Sequence, residues 1–186
     1  VPAPETVRVD LQRSLDRTLA EPISADRDLP PFDKSCMDGY ALRREDTSAV
    51  PASLEVVGVV GAGDSSLPRL GPGQAAPIMT GAVVPPRADA VQMVEKTRRD
   101  GDSVEILETV PPGEHIALRG SEVRKDDLVL TPGRRIGPSE IAVLATFGYG
   151  HLNVFRSPTV SIFSTGDELV DVDQKPDFGQ IRNSNA

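Results

Sequence analysis

Asp38, Thr80, Asp167 and Glu168 are the residues of this chain whose types and settings best suit them to chemistry. Each lies within two residues of a glycine, in Asp38-Gly39, Thr80-Gly81 and Thr165-Gly166-Asp167-Glu168. A carboxylate at a turn can hold a divalent ion or orient an attacking oxygen. A threonine hydroxyl can donate one hydrogen bond while accepting another. The same residues also fit a purely conformational reading. Asp38 and Asp167 can be Asx-turn residues, Thr80 an ordinary turn residue and Glu168 a solvated surface acid. Three such turns can line one cleft, but their spacing alone does not make them meet.

The longest of these stretches is Leu29-Pro30-Pro31-Phe32-Asp33-Lys34-Ser35-Cys36-Met37-Asp38-Gly39-Tyr40-Ala41. Its two prolines fix φ and remove backbone donors, and the residues before them are pushed to extended geometry. Two carboxylates, a serine, a cysteine and a tyrosine then crowd into nine positions. A connecting loop has no use for so many polar or reactive groups. Asp38-Gly39 reads as a turn, because glycine takes positive φ without steric cost.

This stretch, with Ile78-Met-Thr-Gly-Ala-Val-Val-Pro85, Ser164-Thr-Gly-Asp-Glu-Leu169 and Gly179-Gln-Ile-Arg-Asn-Ser-Asn185, resembles the signature of the molybdopterin molybdenumtransferase family. These are the MoeA-type molybdenum insertases, to which the gephyrin E domain is also similar. The resemblance runs over nearly the whole chain, in order. It implies transfer of molybdate to adenylylated molybdopterin, giving molybdenum cofactor and AMP, with Mg2+ as the implied ion. It assigns catalysis to Asp38, Thr80 and Glu168, and substrate binding to Ser35, Asp167, Arg119 and Glu122; which residue holds metal stays open. Arg119 suits a phosphate, which a guanidinium takes as a bidentate fork. The resemblance further implies a homodimer whose cleft lies between subunits, the central loop and Thr80 of one facing the third domain of the other. A molybdopterin adenylyltransferase and apo-molybdoenzymes are the implied partners. Two departures stand out: Cys36 replaces the usual small residue, and Gly120-Ser121-Glu122 replaces the usual Gly-Glu-Asp. A gephyrin-like scaffold that has given up catalysis is the alternative.

Composition narrows the field independently. Asp and Glu outnumber Lys and Arg for a net charge of −8, and no basic block is interleaved with aromatics, which argues against nucleic acid. One cysteine and two histidines exclude an intrachain disulfide and the usual four-ligand zinc site. No apolar run reaches the roughly 18 residues of a membrane span. The start Val1-Pro2-Ala3-Pro4 lacks a signal peptide's basic and apolar regions. A cytoplasmic protein with no membrane partner is expected, its true start upstream because no Met opens the chain.

The positioning elements follow from pattern. Val7, Leu11, Leu15 and Leu19 recur every four residues and predict a short amphipathic helix ended by Glu21-Pro22. Ser53–Val60 predicts a strand. Ala88–Thr97 and Ser103–Val110 predict a hairpin turned at Arg98–Asp102, with Glu95 either facing a ligand or, more commonly for strand glutamates, solvated, and His115 incidental. Leu128–Leu130 predicts a strand, and Pro138–Phe147 a buried helix with Gly148 past its end. Thr159–Phe163 reads as a buried strand, with polar residues and glycine at its carboxyl end, where open α/β sheets place ligands. The expected fold is mixed α/β and multidomain. The resemblance implies that residues 1–28 and 126–155 form a discontinuous α/β domain, with an inserted all-β, barrel-like domain over 29–125. Residues 156–186 open a truncated α/β domain that the resemblance makes MogA-like, so the chain is expected to be a fragment that does not turn over alone.

Overall fold

The structure, a computed structural model, describes residues 5–184. Fourteen strands and one α-helix follow in chain order among these residues. The strands are β1 (Thr6–Asp10), β2 (Ile23–Ser24), β3 (Lys34–Ser35), β4 (Gly39–Leu42), β5 (Ala52–Val56), β6 (Gln74–Ile78) and β7 (Ala90–Met93). They continue as β8 (Thr97–Asp100), β9 (Ser103–Ile106), β10 (Ile116–Ala117) and β11 (Leu128–Leu130). The helix α1 (Pro138–Thr146) comes next, then β12 (His151–Phe155), β13 (Leu169–Val170) and β14 (Ile181–Arg182). No helix among the described residues is long and apolar enough to cross a membrane.

Six strands make one sheet in the order β7-β4-β6-β5-β9-β8, antiparallel except for β5 with β6. Laid flat, six strands at about 4.8 Å spacing would hold the two edges about 24 Å apart. Only Val94–Lys96 separates β7 from β8, and the steps from Met93 to Thr97 span no more than about 14 Å. The sheet therefore curls. Alternation in β4 follows from the pleat: Tyr40 and Leu42 enter one cluster with Leu54, Val104 and Ile106, and Ala41 enters a second with Val60, Leu70 and Ile78. A third cluster draws Leu19 and Ile23 together with Ile136, Leu144, Leu152 and Val154. The two flanks of the sheet's sequence thus share a core of their own.

Three expectations fail here. The predicted first helix is β1 followed by a 3-10 turn at Leu11–Arg13. Val7 and Val9 alternate inward at strand period and pack on the third cluster, and β1 pairs with β12 over five residues. Leu15, the third residue of the supposed stripe, is 49% exposed. Period two won because β12 was there to pair with. The predicted strand Ala88–Thr97 is broken in two: β7 pairs with β4, and the hairpin is β8 with β9. Last, Thr159–Phe163 forms no strand, and Val160, Ile162 and Phe163 are 74%, 66% and 86% exposed. A strand apolar on both faces needs partners and covering layers, and among the described residues none pairs with it. The described chain is mostly β, with α1 its one α-helix.

The helix itself holds its predicted place, ending at Thr146 with Gly148 left-handed at φ +78. Its exposed face is wider than a buried helix would show, with only Glu140 and Leu144 buried. Glu140 caps the first turn: its Oε2 accepts from the Gly137 N–H at 3.0 Å, and Oε1 accepts from Arg134 Nε and Nη2 at 2.9 and 2.7 Å. The Arg134 guanidinium first, and then the Gly137 amide, hold this carboxyl below its usual range. A depressed carboxyl stabilises fully above its ordinary pKa, and the contribution is lost as pH falls through the folded value. The Glu140→Gln protein is expected to melt below the parent at pH 7, with the gap closing as pH drops below about 4. Melting curves at both pH values check this; an undiminished gap at pH 2 would assign the effect to packing.

Candidate active site

The site is built where two stretches from opposite sides of β4 and β6 meet. The register pairs Gly39 with Ile78, so Asp38 and Met79 both lie just past the ends of their strands. Met79–Ala82 turns back through an Ala82 N–H to Met79 carbonyl bond of 3.0 Å, with Gly81 at φ +82. A side chain is strained at that φ, so the turn needs its glycine. Ser35 laces the turn to β3. Its carbonyl accepts from the Gly81 N–H at 2.8 Å, and its own N–H donates to the Ala82 carbonyl at 3.0 Å.

That lacing puts Thr80 against Asp38. The Thr80 N–H donates to Asp38 Oδ1 at 2.6 Å, and the Thr80 hydroxyl donates to the same oxygen at 2.7 Å. The backbone bond, then the hydroxyl bond, hold the Asp38 carboxyl below its usual range. Both Asp38 and Thr80 are exposed. Asp38 Oδ2 has no partner among the described residues. Because the Thr80 proton goes to Asp38, what Thr80 turns outward is a lone pair. In this arrangement the pair presents oxygen acceptors.

The remaining predicted residues are placed as follows. Ser35 is 1% exposed, and its hydroxyl donates to the Met37 carbonyl at 2.6 Å, so it shapes the approach to Asp38 from beneath. Cys36 is exposed and bonded through its N–H to the His115 carbonyl at 2.8 Å. Arg119 follows β10, which pairs with β3, and so stands at the other end of the central loop. Its N–H donates to Asp33 Oδ1 at 2.8 Å and its Nε to Asp28 Oδ2 at 2.6 Å. Glu122 lies 3.9 Å from Lys34 Nζ. Asp167 and Glu168 sit elsewhere: β13 pairs in parallel with β14, and the Ile181 N–H donates to the Glu168 carbonyl at 2.7 Å. That joins the third signature stretch to the fourth, apart from Asn185, which is outside the described residues. No hydrogen bond or ion pair among the described residues links Asp167 or Glu168 to Asp38 or Thr80.

The four stretches therefore meet in two pairs. A profile described as the MoeA N-terminal region (domain I and II) matches residues 1–148. The chain belongs to the MoeA family. Molybdopterin molybdenumtransferase of Bacillus subtilis (strain 168) is 44% identical over 98% of this chain and 44% of that protein. The protein of the same name from Staphylococcus aureus (strain N315) is 42% identical over 97% of this chain and 44% of its own length. The crystal structure of the molybdopterin biosynthesis MoeA protein from Pyrococcus horikoshii OT3 superposes with a TM-score of 0.87 at 36% identity, covering 92% of this chain and 46% of that one. The chain thus spans less than half the length of these MoeA relatives.

Within this MoeA chain, Asp28 and Asp33 were not singled out from sequence. They flank the proline pair, but the loop they fasten lies 91 and 86 residues further on. Only the acidic bracketing of Leu29-Pro30-Pro31-Phe32 hinted at them. The described cavities open beside α1 and along β1 and β12, and none is lined by Asp38 or Thr80. The hydrogen-bonded pair guides the assignment, because it joins two signature stretches.

Proposed function

We propose that this chain is the N-terminal part of a molybdenum insertase, which transfers molybdate to adenylylated molybdopterin and releases molybdenum cofactor and AMP. In that reaction an entering oxygen breaks one phosphoanhydride P–O bond and AMP leaves. Molybdenum bonds to the two dithiolene sulfurs, whose thiol protons pass to one molybdate oxide, and that oxide departs as water. The observation that carries the reading is the Asp38–Thr80 pair. One aspartate oxygen is fixed by two donors, and the other is left anionic and exposed. Such an oxygen can orient the entering group or hold a hard divalent ion.

No group of three His, Cys, Asp or Glu side chains gathers to hold a metal among the described residues. Mg2+ usually binds through one or two carboxylates together with substrate phosphates, and Asp38 fits that manner of binding. When bound, the ion would neutralise charge developing on the phosphates. Asp38 and Thr80 supply the oxygens, and Ser35 holds the backbone that carries Asp38. Among the described residues no hydrogen bond or ion pair joins Glu168 to this pair; in this reading a homodimer forms, and the second subunit brings its Asp167 and Glu168 to the cleft. The domain plan is a discontinuous unit of 1–28 and 126–155 around 29–125, with 156–186 opening a third domain. The setting is cytoplasmic, an adenylyltransferase supplying substrate and apo-molybdoenzymes accepting product.

The test uses the full-length protein encoded by the reading frame that carries this chain. It is given adenylylated molybdopterin and molybdate, and both AMP release and reconstitution of a cofactor-free molybdoenzyme are measured. Molybdate-dependent release is the expected result; a folded, dimeric protein that releases no AMP overturns the reading. The 186 residues alone are expected to give neither signal.

A further inference from the structure

Arg119 is held in a way that a simple surface ion pair does not require. Its backbone N–H is fixed by Asp33, and the Gly120 N–H next to it donates to the Pro30 carbonyl at 2.9 Å. Its Nε is taken by Asp28 Oδ2 at 2.6 Å. Asp28 in turn is anchored from behind, since its Oδ1 accepts the Lys125 N–H at 2.9 Å. The Asp28 side chain is 19% exposed, whereas that of Arg119 is 67% exposed. Asp28 therefore cannot rotate to chelate both edges of the guanidinium. It grips the Nε side, and the Nη1–Nη2 edge has no acceptor among the described residues.

An Nη1–Nη2 edge is the end-on fork that matches two oxygens of a phosphate. A second guanidinium, Arg124, also acts on Asp28, and its stem lies against Gly120. It too lacks a described acceptor. Asp33 is engaged by the Arg119 amide, and Glu122 stands by Lys34, so neither is placed to fill the fork. We infer that Asp28 is a positioning residue, which aims the Nη edge of Arg119, with Arg124 beside it, at a phosphate group of the substrate. The inference deepens the insertase reading and rests on it for the substrate. From Asp33, which holds the Arg119 amide, to Asp38 the chain reaches at most about 18 Å, which bounds the distance between the fork and the proposed reacting centre.

The test separates aiming from folding. Asp28→Asn keeps the size of the side chain and an oxygen for the Lys125 amide, but turns a donor towards Arg119 Nε and releases it. Inorganic pyrophosphate is titrated calorimetrically into the parent chain and into Asp28→Asn, Arg119→Ala, Arg119→Lys and the control Arg98→Ala. Binding is expected to weaken about tenfold or more in Arg119→Ala. A comparable loss is expected in Asp28→Asn with the protein still cooperatively folded at the titration temperature, an incomplete rescue in Arg119→Lys and no change in Arg98→Ala. In the full-length enzyme the same substitutions should raise KM far more than they lower kcat. If the parent does not bind pyrophosphate, or Asp28→Asn binds like the parent, the inference fails. Pyrophosphate binding that depends on Arg119 and Asp28 in a protein without turnover would leave the site standing and the insertase reading overturned. Turnover with KM unmoved by either substitution would do the reverse.

Discussion

The Asp38→Asn protein is expected to fold, to keep Thr80 in place and to lose turnover by about 10²–10⁴-fold. The amide oxygen of asparagine can still accept from the Thr80 N–H and hydroxyl, the two bonds of 2.6 and 2.7 Å that fix Oδ1 in the parent. The change falls on the outward position, where a donor amino group replaces an anionic oxygen. That group cannot hold a cation and cannot accept a proton, so whichever of these roles Asp38 plays is removed while the turn survives. Reconstitution of a cofactor-free molybdoenzyme by the full-length protein measures the loss, and exchange protection of the Thr80 amide reports the turn. The pH dependence has a definite sign. Thr80 holds the Asp38 carboxyl below its usual range, so its contribution to stability is present above the ordinary carboxylate pKa and is lost as pH falls through the folded value. A difference in stability between parent and Asp38→Asn should accordingly shrink in acid. Undiminished turnover with the turn intact would reduce Asp38 to a clamp for Thr80 and put the scaffold reading ahead.

What the sequence revealed and what it hid divide along a physical line. The signature stretches were legible because glycine, proline and short polar residues leave a local imprint. So was α1, whose proline start and glycine end are both local signals. Which stretches meet is set by strand pairing over long separations. The contact of Asp38 with Thr80 spans 42 residues, and that of Asp28 with Arg119 spans 91. Nothing at either end announces its partner. Val7 to Leu19 misled for a related reason: a four-residue repeat is compatible with Val7 and Val9 facing inward at period two, and only β12 decides between them. At Thr159–Phe163 the composition says buried strand, but composition cannot supply the neighbouring strands.

Gly39→Ala is expected to cost about 3 kcal/mol or more, well above the typical effect of a single substitution. Sequence assigned this glycine to a turn on the strength of Asp-Gly, yet it is the first residue of β4 and is absent from the positive-φ glycines. Space is what demands it. A Cβ at position 39 would lie 1.9 Å from the Gln92 carbonyl oxygen and 2.8 Å from its carbon. Both are backbone atoms of β7, which is paired to β4 through Gly39 with Met93 and Tyr40 with Gln92. Gln92 cannot give way easily, because the residue is 3% exposed and its Nε2 donates to the Glu108 carbonyl at 2.9 Å. Nor can β4 retreat, with β6 paired along its other side. The added methyl must therefore part β4 from β7 next to Asp38, so the variant that remains folded should also expose the Thr80 amide to exchange. Gly150→Ala is the control, since its Cβ would meet nothing within 4 Å and its φ is not left-handed. Urea unfolding should leave Gly150→Ala within about 0.5 kcal/mol of the parent. A Gly39→Ala midpoint equally close to the parent would mean that β4 and β7 separate at little cost, and that the central loop is not rigidly held.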